Sequence, residues 1–247
     1  MQHQQKVRYS RHLILPELGE EGQTRLLNAS ALVIGAGGLG SPALLYLAAS
    51  GVGRIGIIDS DKVELSNLQR QVIHETSDIG RWKAESAADS ISDLNPDIKT
   101  EIYKERLTEK NAEELIKKYD AVLDGSDNFE TRFLVNDVCV KLKKPLVTAA
   151  ILRFEGQVTV FDMEANSPCY RCLYAEVPPA GTMPTCESNG IFSPVAGIAG
   201  TIQAAEAVKL LAGIKSELRG NLLVFDGLKM NFRKVKLNKD KKCGCNN

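Results

Sequence analysis

The sequence predicts an α/β fold: a Rossmann-like parallel sheet with helices on both faces, continued by antiparallel strands into a mixed sheet. Three features of the 247 residues carry that expectation. Short apolar runs alternate with helical segments up to about Ala150, a glycine-rich turn joins the first run to its helix, and the alternation stops after Ala150. An amphipathic segment, Leu18 to Leu27, leads into Ala31-Leu32-Val33-Ile34-Gly35, which has the length and flanks of a buried strand. Leu39 to Ser50 reads as a helix, with Pro42 in the first turn, where a missing N–H is tolerated. Arg54 to Asp59 follows as a strand, and Arg81 to Leu94 as a helix stopped by Asn95-Pro96. The cycle repeats: Ile98 to Tyr103 (strand), Glu109 to Lys118 (helix), Ala121 to Gly125 (strand), Glu130 to Lys141 (helix) and Leu146 to Ala150 (strand). Such βα repetition winds a parallel sheet on both sides. Beyond it, Gln157 to Asp162, Leu222 to Phe225 and Phe232 to Leu237 read as strands without intervening short helices, and Val195 to Leu211 as one apolar helix. The Pro/Gly-rich stretch between Glu176 and Asn189 is long enough for a lid or a partner-binding loop.

Composition narrows the function classes. Thirty-one basic and 31 acidic side chains give zero formal charge, so nothing global steers the chain to nucleic acid or an anionic membrane. The amino terminus lacks the apolar core of a signal peptide, and Gln203, Glu206 and Lys209 interrupt the most apolar later stretch, so a cytoplasmic protein is expected. In a reducing compartment, six cysteines argue for metal ligation or catalysis over disulfides. Three histidines (His3, His12, His74) leave little material for a Ser-His-Asp triad.

Gly35, Gly37 and Gly40 satisfy G-x-G-x-x-G directly after a strand and at the mouth of a helix, the context that gives the pattern meaning. There the backbone approaches a polyphosphate closely, and the helix start offers N–H donors and positive dipole. Asp59 ends the second strand, where an acid accepts hydrogen bonds from ribose hydroxyls. These features suit a nicotinamide-dinucleotide enzyme equally well. Asn67, Arg70 and Lys83 do not, because an amide and two cations beyond the second strand point to charge on a triphosphate and its departing pyrophosphate. Singly, each reads more readily as a solvated surface group, and their value lies in the ensemble. In Asp124-Gly125-Ser126-Asp127-Asn128, at the carboxyl end of a strand, an acid can hold Mg²⁺ or cap the following helix.

Taken in order, Arg8-Tyr9-Ser10-Arg11, Gly35-x-Gly37-Gly38-x-Gly40, Asp59-x-Asp61 with Ser66-Asn67-Leu68-x-Arg70-Gln71, Gly80-x-x-Lys83, Asp124-x-x-Asp127-Asn128 and Cys169-x-x-Cys172 resemble the ThiF/MoeB/HesA family, bacterial relatives of ubiquitin-activating enzymes. The similarity runs from about residue 6 to 245. It implies ATP- and Mg²⁺-dependent adenylation of the carboxyl-terminal glycine of a small ubiquitin-like sulfur carrier protein ending in Gly-Gly. By matching position, Asp59 would bind ribose, and Ser66, Asn67, Arg70 and Lys83 the triphosphate. Asp127 would coordinate Mg²⁺, and Gly37, Gly38 and Gly40 would lie near the nucleotide. Arg11 resembles the family's arginine finger, which reaches the neighbouring subunit's nucleotide, so a homodimer is implied. One adenylyltransferase domain over residues 1–247 is expected, divided into a nucleotide half (1–150) and a carrier and zinc half (151–247).

Cys169 and Cys172 with Cys243 and Cys245 supply four thiolates, the number a closed zinc site needs. The terminal Cys-x-Cys departs from the family's usual Cys-x-x-Cys and leaves unliganded thiols as the alternative. Cys186 stands before the apolar helix; some relatives use a cysteine here to form a persulfide or acyl link with the carrier, and a core thiol is the competing reading. Cys139, inside a helix, reads as core. A dinucleotide-dependent oxidoreductase and a catalytically idle scaffold for a ubiquitin-like partner are the alternatives to the adenylating enzyme. Between thiamine and molybdopterin biosynthesis, Phe225-Asp226-Gly227 leans towards the thiamine type, and a separate sulfurtransferase is expected to supply the sulfur.

Overall fold

A computed structural model describes residues 1–164, 167–179 and 186–246, the side chains of 186, 187 and 246 excepted. The strands are β1 (Ser30–Ile34), β2 (Arg54–Ile58), β3 (Lys99–Tyr103), β4 (Ala121–Asp124), β5 (Leu146–Leu152), β6 (Glu155–Phe161), β7 (Asn221–Asp226) and β8 (Asn231–Lys236). They form one sheet in the order β3-β2-β1-β4-β5-β6-β7-β8. The first five are parallel. From β5 onward neighbours run antiparallel, so the mixed sheet expected from the loss of βα alternation is what forms.

The helices, in chain order, are α1 (His3–Arg8), α2 (Ser10–Leu13), α3 (Gly19–Asn28), α4 (Gly40–Ser50), α5 (Lys83–Leu94), α6 (Ala112–Lys117), α7 (Phe129–Leu142), α8 (Tyr170–Leu173), α9 (Cys186–Asn189) and α10 (Ser193–Ala212). Successive strand side chains alternate between faces, which splits the core into two layers. Ala31, Val33, Ile55 and Ile57 join Leu26, Leu44, Leu47, Ile91 and Ala199 beneath α3, α4, α5 and α10. Leu32, Ile34, Ile58 and Val122 join Leu115, Ile116, Phe133 and Tyr170 beneath α6, α7 and α8. Both faces of β1 and β4, and nearly all of β2, are therefore buried, as their uninterrupted apolar sequences require, while the edge strand β3 is half exposed.

Where sequence and structure differ, local chemistry gives the reason. The helix expected from Arg81 begins at Lys83, because Trp82 holds an extended backbone (ψ 133°) and ends the preceding turn. Residues 64–80 contain two 3₁₀ turns, Leu65–Asn67 and Thr76–Asp78, each closed by a polar side chain capping its own backbone. The short α1 and α2, absent from the sequence-based reading, are pinned by Tyr9, which is 2% exposed and accepts a hydrogen bond from Asn95 Nδ2 (3.0 Å). Among the described residues α10 is the one helix long and apolar enough to cross a membrane by length and composition. It packs on β4, β5 and β6, and its buried Gln203 donates to the carbonyls of Asp124 (2.8 Å) and Val147 (3.2 Å). Residues 180–185 of the Pro/Gly-rich loop lie outside the described residues.

Candidate active site and cysteine cluster

The carboxyl ends of β1, β2 and β4 converge, since Ile34 pairs with both Ile58 and Asp124. The chain turns there from β1 into α4. Gly35 has φ +88°, and a Cβ on Gly40 would collide with the Gly35 carbonyl, so glycine is obligatory at both ends of the turn. Ala36 N–H donates to Asp59 Oδ2 (2.8 Å), and Asp61 N–H donates to Asp59 Oδ1 (2.8 Å). Asp59 thus braces the glycine turn as well as standing where a ribose acid is expected. Burial pushes its carboxyl above the usual range, opposed by the Asp61 N–H, the Lys83 charge and the Ala36 N–H.

Lys83, the first residue of α5, is only 7% exposed, and its Nζ donates to Asp61 Oδ2 (3.0 Å). An ammonium has three protons. Among the described residues Asp61 is the one acceptor for them, and it is itself largely exposed. Arg70 lies across the same turn: a methyl group on Gly38 would sit 3.4 Å from its Cγ and 3.5 Å from its Cδ. Its Nη1 donates to the Ser66 carbonyl (3.2 Å), which fixes the stem over Gly38. Asn67 is buried, its Oδ1 occupied by Glu64 N–H (3.1 Å), while Ser66 is exposed and donates to Glu64 Oε2 (3.3 Å).

The two acids after β4 part company. Asp124 is 1% exposed, accepts from Ser126 N–H (2.9 Å) and has its carboxyl pushed up by burial, against the Arg132 charge. It is unsuited to hold an exposed cation. Asp127 is exposed and is touched only by the Asn128 amide, at 3.4 Å, among the described residues. The helix-capping role belongs to Asn128, whose Oδ1 accepts from Thr131 N–H (2.9 Å). Asp127 is therefore the free carboxylate of the pair, fitting a cation that wants one acid and several waters.

Arg11, exposed on α2, makes no hydrogen bond or ion pair among the described residues. Nothing ties it to the glycine turn of its own chain. His74, which sequence reasoning passed over, is tied there: 6% exposed, its Nε2 lies 2.9 Å from the Ala36 carbonyl and its Nδ1 2.7 Å from Ser86 Oγ. Only its position three residues after Gln71, within the cationic segment, hinted at this.

A cleft of about 290 Å³ opens at the opposite edge of the sheet, lined by Ala29, Asp120, Pro145, Asp162, Leu210 and Arg219. It faces the amino-terminal ends of β1, β4 and β5, whereas open α/β sheets bind ligands beyond the carboxyl ends.

The four cysteines meet. Cys169 Sγ lies 4.0 Å from Cys172 Sγ and 3.6 Å from Cys243 Sγ, and Cys172 Sγ lies 3.7 Å from Cys245 Sγ. All four sulfurs fall within 4.8 Å of one another. A tetrahedron with ~2.3 Å zinc–sulfur bonds has edges of ~3.8 Å, so these residues can hold a zinc-sized ion, and the shortened Cys-x-Cys still delivers both sulfurs. Without a metal, burial pushes the Cys169 thiol up to about 11. Arg171 fixes the knuckle to α7 through two 2.7 Å bonds to Asp137. Cys139 is fully buried, its thiol pushed up by that burial, as a core residue should be. Cys186 opens α9, and its side chain lies outside the described residues.

Comparison with known proteins agrees with this architecture. The ThiF family model matches residues 9–247. A probable adenylyltransferase/sulfurtransferase MoeZ from Mycobacterium tuberculosis is 52% identical over 237 residues, covering 95% of this chain and 60% of that protein. The sulfur carrier protein adenylyltransferase of Thermus thermophilus is 49% identical over 240 residues, covering 96% and 89%. The chain thus spans about 60% of the length of the MoeZ relative but most of the Thermus protein. A crystal structure of E. coli MccB with MccA-N7isoASN superposes with a TM-score of 0.86 at 22% identity, over 98% of this chain and 75% of that one, which establishes the shared fold. The chain belongs to the ThiF family.

Proposed function

We propose that this protein adenylates the carboxyl-terminal glycine of a small ubiquitin-like sulfur carrier protein with ATP, releasing pyrophosphate. The observation that carries the reading is Lys83: a buried lysine, 7% exposed as a residue, at the rim of a glycine turn, with one exposed carboxylate among the described residues for its three N–H donors. A buried cation so sparsely paired is costly unless an anion completes it. The relatives named as adenylyltransferases, from Mycobacterium and Thermus, supply the reaction class.

In the reaction the carrier carboxylate attacks the α-phosphorus of ATP. A carboxylate–phosphorus bond forms, the α,β-anhydride breaks, and pyrophosphate leaves, giving an acyl adenylate. The carboxylate is already ionised at pH 7, so no general base is needed. The barrier is the approach of one anion to another, and the chain's part is to position them and offset their charge. The N–H groups of the turn and the start of α4 would hold phosphate. Lys83 and Arg70 would neutralise charge developing on the α-phosphate and on departing pyrophosphate, with Ser66 and Asn67 as further polar contacts and Asp59 towards the ribose. Asp127 would hold Mg²⁺, which when bound screens the phosphates. Arg11, free on α2, would reach the nucleotide of a second copy, in a homodimer. Cys169, Cys172, Cys243 and Cys245 would hold a structural Zn²⁺, and Cys186 would serve any later sulfur or acyl transfer. One domain, a cytoplasmic setting, a separate sulfurtransferase as sulfur source and a thiamine- or molybdopterin-type pathway complete the proposal.

The test is carrier-dependent exchange of labelled pyrophosphate into ATP. Asp127→Ala should abolish exchange while leaving the fold intact, since this side chain makes only one weak contact. Near-wild-type exchange in that variant removes the metal role; stable NADH binding without any exchange in the wild type removes the adenylation reading.

A further inference from the structure

We infer that His74 is a positioning residue of this site: through the Ala36 carbonyl it sets the direction in which the Gly37 N–H meets the nucleotide. The inference rests on the nucleotide reading above and adds to it a side chain which that reading does not use.

The Ala36 residue is gripped at both polar atoms. Its N–H donates to Asp59 Oδ2 (2.8 Å), and its carbonyl accepts from His74 Nε2 (2.9 Å). In a planar trans peptide the C=O of one residue and the N–H of the next point in opposite directions. Holding the Ala36 carbonyl against buried His74 therefore aims the Gly37 N–H the other way, out of the protein at the mouth of α4. Among the described residues no acceptor takes the N–H of Gly37 or Gly38. A donor without an acceptor among the described residues, aimed by a buried clamp and followed by a second at Gly38, is what an anionic ligand requires.

The clamp has its own support. A carbonyl can only accept, so Nε2 must carry a proton, while Nδ1 lies 2.7 Å from Ser86 Oγ. Ser86 Oγ donates its one proton to Asp78 Oδ2 (2.7 Å), which leaves its oxygen facing Nδ1, and Asp78 Oδ1 accepts from Arg81 (2.7 Å). His74, Ser86 and Asp78 are 6%, 1% and 7% exposed. Ser86 belongs to α5, the helix that begins with Lys83. One rigid element thus fixes both the buried cation and, by way of the imidazole, the orientation of the glycine turn. The charged groups facing His74 are Lys83, Asp78 and Asp59; burial first, and then Lys83, holds the imidazole below its ordinary value, against the Ala36 carbonyl and the two acids.

The experiment uses the full chain and ATP, with fluorescence of the single tryptophan, Trp82, beside Lys83, as the binding signal. His74→Leu removes the donor and should weaken ATP binding about tenfold, as loss of a buried hydrogen-bond partner does. His74→Gln, whose amide can donate where Nε2 does, should stay within about threefold of wild type. A merely structural histidine would lower thermal stability in both variants without separating their ATP affinities. Should His74→Leu not fold, Ser86→Ala tests the same clamp: without the hydroxyl that stands against Nδ1 the ring loses its brace, and binding should weaken about threefold. Nitrogen NMR of the three histidines should find a proton on Nε2 of His74. Wild-type ATP affinity in His74→Leu, or in Ser86→Ala, or an Nε2 without a proton, overturns the inference while leaving the nucleotide reading standing. Failure of the wild type to bind ATP overturns both.

Discussion

Replacing Lys83 by Met separates charge from packing at the proposed adenylation site. The side chain is 9% exposed, so its stem is a core element; Met keeps the length and apolar volume, and volume-conserving swaps cost less than about 1.5 kcal/mol. The orphaned partner, Asp61, is 61% exposed. Water takes over its hydrogen bond, and pairs of this kind contribute about 0–1 kcal/mol. Together these terms come to at most about 2.5 kcal/mol and predict a fall in melting temperature of no more than about 5–10 °C for a chain of this size. Activity should respond on another scale. If the ammonium meets charge developing on the phosphates, its loss resembles removal of an oxyanion donor, about 100- to 1,000-fold in rate, or ~2.7–4 kcal/mol. Carrier-dependent pyrophosphate exchange at saturating ATP, read beside thermal unfolding, compares the two scales directly. A variant that melts as expected and exchanges within threefold of wild type would refute the electrostatic role, because its structural contribution would then have been removed at no catalytic cost.

The cysteine cluster should bind close to one zinc per chain by elemental analysis, and either Cys172→Ser or Cys243→Ser should lose the metal and lower the melting temperature. Because the site would tie residues 169–172 to the chain end, a strong chelator should do the same to the wild type, and metal-free protein of unchanged stability would argue that the sulfurs meet without an ion. The arginine-finger proposal is tested by mixing: Arg11→Ala and Lys83→Met homodimers should each be inactive, yet random exchange of subunits should restore about one quarter of the wild-type sites, since each mixed dimer joins an intact Lys83 to an intact Arg11 once. No recovery, with subunit exchange demonstrated, places both residues in one chain's site or neither.

How much of this was legible in the sequence depends on the kind of signal each residue emits. Apolar runs such as Ala31 to Ile34 and Leu146 to Ala150 declared buried strands within two residues of their observed ends, because burial on both faces leaves no polar alternation to confuse the reading. The glycine turn was legible because sterics allow little else: a side chain at Gly40 would strike the Gly35 carbonyl. Cys169 and Cys172 were legible through their spacing, whereas the shorter Cys243-x-Cys245 spacing left that pair open until the four sulfurs were seen to meet. His74 was not, for one histidine in a chain carries no period, and its function lies in a carbonyl 38 residues away that any sequence at Ala36 would supply. The contrast between Asp124 and Asp127 was legible only through the family resemblance, which singled out Asp127, and not from the residues themselves. Three residues apart at a strand's end, they differ only in that one precedes the turn, beneath Thr148 and Arg132, and the other follows it into solvent.

The glycine motif by itself cannot distinguish a dinucleotide enzyme from an adenylating one, so the weight falls on what α5 does to the turn. In a fold that only held a dinucleotide, a lysine at the start of α5 would gain most by reaching solvent, where an exposed ammonium loses no hydration. Here the chain does the opposite. The Lys83 N–H bonds the Asp61 carbonyl (3.0 Å), its ammonium bonds the Asp61 carboxylate, and Asp61 N–H in turn bonds Asp59, which holds Ala36. From the other side Ser86 braces His74 against the same residue's carbonyl. Cation and turn are therefore held in register by two hydrogen-bonded chains that share one helix, so displacing α5 would move the charge and reorient the glycine turn proposed to bind phosphate together. A site that must neutralise a developing charge at a fixed point gains from that coupling, because groups already aimed need no reorganisation when the charge appears.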